Sequence, residues 1–98
     1  MNKYAILARL EAKPGKENEL EAFLKSALPL AEQEPGTTTW FAWKIGKSTF
    51  GIFDTFKEES DRKAHLDGPI AAALMAKAGE LLSKDPSLEM VDLLAEKV

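Results

Sequence analysis

The chain has 98 residues, 13 Lys and Arg against 16 Asp and Glu for a net charge of −3, one His and no Cys. This length makes one domain, and the lack of Cys excludes disulfides, thiolate metal sites and cysteine nucleophiles. Lys13, Lys16, Lys44 and Lys47 are the nearest thing to a basic group, yet they stand among Glu11, Glu17 and Glu19. No concentrated basic face is left for nucleic acid.

A single His with scattered acids has no metal-ligand spacing, so no metal is expected. No apolar run approaches a membrane span, and Arg9 and Glu11 interrupt the N-terminal apolar stretch before a leader could form. The expectation is a cytoplasmic protein with no membrane or nucleic-acid partner.

In chain order, Lys3–Ala12 is apolar on both parities and predicts a strand covered on both faces. Lys13-Pro14-Gly15-Lys16 breaks it. From Lys16 to Glu34 the spacing turns helical, with Leu20, Phe23, Leu24, Ala27 and Leu30 on one stripe and acids in the first turn. Pro29 removes a backbone bond there and predicts a kink near Lys25.

Thr37–Ile45 and Ser48–Phe56 are rich in β-branched and aromatic residues and predict a hairpin. A two-residue Gly46-Lys47 turn would set Trp43 opposite Phe50, Phe41 opposite Ile52 and Thr39 opposite Asp54. Glu58–Leu66 predicts a short helix bearing His65. Pro69 then opens a second, alanine-rich helix over residues 70–84. Ser87–Lys97 predicts the last strand.

The order is β-α-β-β-α-β, an α+β domain with a four-stranded antiparallel sheet. Helices covering one face of such a sheet should leave the other polar. Trp40 and Phe53 on one side, with Phe41, Trp43, Phe50 and Phe56 on the other, exceed what the chain's own helices can cover. A symmetric homodimer is therefore expected, since soluble proteins avoid a bare aromatic patch.

Three stretches carry a family resemblance. A strand runs into Pro14-Gly15-Lys16, and a helix ends in Glu34-Pro35-Gly36-Thr37. Then Phe53-Asp54-Thr55-Phe56-Lys57-Glu58-Glu59 leads to Ala64-His65-Leu66. In order and spacing, the chain resembles the antibiotic-biosynthesis-monooxygenase-like family, including its quinol monooxygenases. The resemblance implies a ferredoxin-like subunit, a dimeric α+β barrel, and a pocket between each sheet and its helices. It implies cofactor-free oxidation of a small aromatic, quinol-like substrate. Haem-degrading relatives carry a His on the helix matching Gly68–Leu82; here that helix has none, and Met75 stands near the place.

His65 is the natural acid–base group, its ordinary pKa lying nearest neutrality. In a quinol oxidation it would take a phenolic proton; a packed, inert His is the plain alternative. Asp54 lies mid-strand, where a carboxylate is costly unless paired. It could orient His65 or accept a substrate hydroxyl, or form an ion pair with Arg9 or Lys44. Phe41, Trp43, Phe50 and Phe56 could line a slot for a planar substrate, or simply form core. The competing function is a non-enzymatic dimeric barrel that binds a small apolar ligand in a stress or regulatory role.

Overall fold

The first strand, β1 (Tyr4–Glu11), lies at the centre of the sheet because it is apolar on both parities. A computed structural model describes all residues from Met1 to Val98. After β1 come α1 (Glu17–Glu32), β2 (Thr37–Ile45), β3 (Thr49–Phe56), α2 (Glu59–Leu66), α3 (Pro69–Leu81) and β4 (Ser87–Asp92). The four strands pair antiparallel in the order β2-β3-β1-β4, the ferredoxin-like arrangement, with α2 and α3 together forming the second helical connection. No helix is long and apolar enough to cross a membrane.

The helices cover one face of the sheet. Leu10, Phe50 and Ile52 on that face pack against Leu20 and Leu24 of α1 and Leu74 and Leu81 of α3. Phe50 and Phe56 are fully buried there, each contributing roughly 1.5–3 kcal/mol of apolar transfer. A smaller cluster of Ala27, Ala31 and Ile70 joins α1 to α3, with Trp40 against it. These alanines, two on α1 and beside the α3 start, let the two helices approach closely. Helix α1 continues through Pro29, whose side of the helix is exposed.

The hairpin register differs from the expected one. The connection is three residues, Gly46-Lys47-Ser48, with Gly46 at φ +66°. Trp43 therefore stands opposite Gly51, Phe41 opposite Phe53 and Trp40 opposite Asp54. One added loop residue moves every pair by one and sends one strand's side chains to the other face.

Gly51 explains the choice. A Cβ there would come within 2.1 Å of the Trp43 indole and 2.3 Å of the Ala8 carbonyl oxygen, so the indole occupies the space that only glycine leaves. Arg9 lies over the same indole, 5.7 Å from its centroid.

The consequence is a new partition. Trp40, Phe50, Ile52, Asp54 and Phe56 share the helix-covered face, and Phe41, Trp43 and Phe53 lie on the open one. The open face carries Phe41 and Ile45 with more than half their surface exposed. The last strand also ends sooner than expected. Beyond Asp92 the chain runs on past the N-terminal residues: the Leu93 N–H donates to the Lys3 carbonyl (2.9 Å), and Glu96 accepts hydrogen bonds from the Asn2 backbone (2.8 Å) and side chain (3.1 Å).

Candidate functional site

Asp54 is placed by β3, whose alternation sends it to the helix-covered face beside Ile52 and Phe56. It is 1% exposed, the only acid among the largest fully buried side chains. Such a carboxylate needs a partner, and α2 supplies it. His65, on the last turn of α2, brings Nε2 to 2.8 Å from Asp54 Oδ2. The ion pair with Arg9 or Lys44 does not form: Arg9 stacks on Trp43 across the sheet, and Lys44 approaches Glu21 at 3.7 Å.

A second carboxylate completes the group. Glu34, between α1 and β2, places Oε1 at 2.5 Å from His65 Nδ1. Thr37 donates its hydroxyl to the same oxygen at 2.7 Å. The imidazole thus lies between two acids, and the Phe56 ring flanks it with centroids 5.5 Å apart. Burial alone would depress the His65 pKa, but hydrogen bonds and charge from Asp54 and Glu34 outweigh this and raise it above the ordinary 6.5. Only a doubly protonated ring can donate to both acids at once. Two polar oxygens remain buried without partners: Asp54 Oδ1 and Glu34 Oε2.

Glu34 carries no local mark of this role. Its signal was Glu34-Pro35-Gly36-Thr37 just before a strand, but nothing local shows that a loop acid meets a histidine 31 residues on.

Asp54 and His65 border an apolar cavity of about 150 Å³ between the sheet and α2–α3. Its floor is Ile6, Ala8 and Ile52; its roof is Leu66, Ile70, Ala71 and Leu74. Met75 and Leu88, both exposed, mark its mouth between α3 and the edge strand β4.

The aromatics expected to clamp a substrate do not gather here. Phe41 and Trp43 lie on the open face, Phe50 fills the core, and Phe56 packs on His65 without lining the cavity. Aliphatic residues form the walls instead. No group of three or more His, Cys, Asp or Glu is placed to hold a metal ion. Arg62 bonds the Ala5 and Val91 carbonyls and lies over Tyr4, so its charge serves the sheet edge rather than the cavity.

A ferredoxin-like sheet with an apolar, one-ring-sized cavity ending in a carboxylate–imidazole–carboxylate group defines the class. No family model matches the chain, and no curated protein matches it. Solved structures do. A Nitrosomonas europaea protein of unknown function, NE2512, is 61% identical over 100% of this chain and 95% of its own, with a TM-score of 0.98. Rv0793 from Mycobacterium tuberculosis is 20% identical over 98% of this chain and 99% of its own, at 0.87. A candidate antibiotic biosynthesis monooxygenase, also from Nitrosomonas europaea, is 13% identical over 94% and 90%, at 0.83. The chain belongs to the family of NE2512, and its fold is the antibiotic-biosynthesis-monooxygenase-like α+β fold.

Proposed function

We infer that the cavity takes a single-ring phenol or hydroquinone and that the protein is a cofactor-independent monooxygenase acting on it. The observation that carries this reading is Asp54 Oδ1, a buried oxygen without a partner on a residue that borders an otherwise apolar cavity. The volume sets the substrate size: an apolar cavity of about 150 Å³ holds one benzene ring. The fold, shared with candidate antibiotic biosynthesis monooxygenases, supports the reaction class.

In this reading Asp54 meets the substrate hydroxyl and takes its proton, and His65 stands behind it as the positioning residue. This inverts the roles suggested by titration range alone, because both His65 nitrogens are already engaged by acids. The phenolate is electron-rich enough to reduce dioxygen. Hydroquinone and O2 then give hydroxybenzoquinone and water: one oxygen joins the ring, the other leaves with two hydrogens. The substrate supplies all the electrons, so no external reductant enters.

The same saturation of His65 favours a second reading, a ligand-binding protein in which the two acids merely hold the histidine. A homodimer goes with either. Phe41, Ile45, Trp43 and Phe53 make an apolar open face that a second copy would cover. A cytoplasmic location also goes with both, since nothing in a cysteine-free chain calls for an oxidising compartment.

Oxygen uptake with single-ring hydroquinones in metal-free buffer tests the reading. Wild type should consume oxygen. Asp54→Asn should lose at least about 100-fold in turnover, the usual scale of a general base, while keeping its oligomeric state. Binding without uptake across the series would leave the ligand-binding reading.

A further inference from the structure

His65 borders two spaces, not one. Besides the apolar cavity, it lines a polar cleft of about 210 Å³ on the far side, formed where the α1–β2 turn meets the α2–α3 turn. Glu34, Gly36 and Thr37 form one wall of that cleft; Asp61, Ala64 and Gly68 form the other. Its glycines keep it open. A Cβ on Gly36 would come within 2.6 Å of the Asp61 carboxylate, and one on Gly68 within 3.3 Å of Glu34 Oε2. Side-chain exposure rises along the group, from 2% at Asp54 through 8% at His65 to 17% at Glu34.

We propose that Asp54, His65 and Glu34 form a proton path joining the apolar cavity to this second cleft, with Glu34 as its cleft-side end. The inference rests on the cavity receiving a ligand hydroxyl. A ring seated there displaces water from the apolar space around Asp54, so its proton needs another way out.

The hydrogen bonds already in place supply one. The resting ring donates both of its N–H protons; once the Nε2 proton has crossed to Asp54 Oδ2, the ligand O–H gives its proton to Oδ1 while Oδ2 returns its own to Nε2. Nδ1 in turn gives its proton to Glu34 Oε1. The ligand becomes an anion, Glu34 becomes neutral, and the imidazole carries one proton before and after the relay. The same shifts run backward when the oxidised ring releases water, restoring the starting hydrogens. Glu34 acts through His65 and is a positioning residue. The other charged groups near the imidazole are Asp61 in the cleft and Arg62 on α2, the latter committed to backbone carbonyls.

The chain has one histidine, so ¹⁵N-histidine labelling reports His65 alone, with no ligand or turnover required. Saturation transfer from water gives the exchange rate of its ring N–H protons. Glu34→Gln keeps an acceptor for Nδ1–H but cannot take a proton; it should slow that exchange at least tenfold. Asp54→Asn should leave it within about twofold. Both acids support the imidazolium charge, so a purely electrostatic or structural role would move the two variants alike. Equal slowing, or slowing in Asp54→Asn only, would overturn the path through Glu34. Oxygen uptake is read separately: a wild type inert toward hydroquinones sinks the oxygenase reading but leaves the exchange result to decide the path. In an active wild type, Glu34→Gln should lower kcat at least tenfold with KM unchanged.

Discussion

Ala8→Ile fills the cavity from its floor. Ala8 lies on the cavity floor, 5% exposed, between Ile52 and Leu88 on the neighbouring strands. The change adds three carbons, worth about 2.4 kcal/mol at about 0.8 kcal/mol per buried methylene. Filling all 150 Å³ at about 24 cal/mol per Å³ would give about 3.6 kcal/mol, so the gain stays under its ceiling. A β-branched residue suits a central strand and adds no backbone penalty.

The expected gain is about 2 kcal/mol, a rise of about 2 M in the urea midpoint for a slope near 1 kcal/mol per molar. The same variant should bind single-ring phenols at least tenfold more weakly, because it occupies their space. A loss of stability of about 1–3 kcal/mol, the signature of overpacking, would refute the reasoning. It would mean that the surrounding side chains already close the gap in solution.

Three further outcomes follow from the same geometry. His65 should titrate by NMR above 6.5, since Asp54 and Glu34 outweigh its burial. Its contribution to stability is then full below about pH 6.5 and lost as pH rises through the folded value. Urea midpoints at about pH 6 and about pH 9 should show this fall, and a titration at or below 6.5 contradicts it. Gly51→Ala should cost about 2–3 kcal/mol through overpacking and shift tryptophan fluorescence. Adding Trp43→Ala should recover only part, because the Ala8 carbonyl still meets the new Cβ. Phe41→Asp, on the exposed part of the open face, should turn a sedimenting dimer into a monomer; a monomeric wild type removes the dimer.

The order of elements was legible because it depends on local signals. Pro14-Gly15, Pro35-Gly36 and Asp67-Gly68-Pro69 punctuate the chain after β1, α1 and α2, and the hydrophobic period changes between them. The ends were less legible. Helix α3 stops at Leu81 rather than residue 84 because Leu82 turns extended to pair with Ala12, a contact 70 residues away in the chain.

The candidate site divides the same way. Residue type alone marked His65 and Asp54 as the groups able to do acid–base work, and the structure sets them 2.8 Å apart. Local pattern could not decide which aromatics join them, because strand parity depends on one loop residue, and the Gly51–Trp43 fit settled it across the sheet. Nor could it give Glu34 its role. What the sequence determined is the set of elements and the chemically able side chains, since propensity and ionisation are properties of residues. What tertiary structure decided is register, cavity and the second acid on His65, since each depends on distances between segments far apart in the chain.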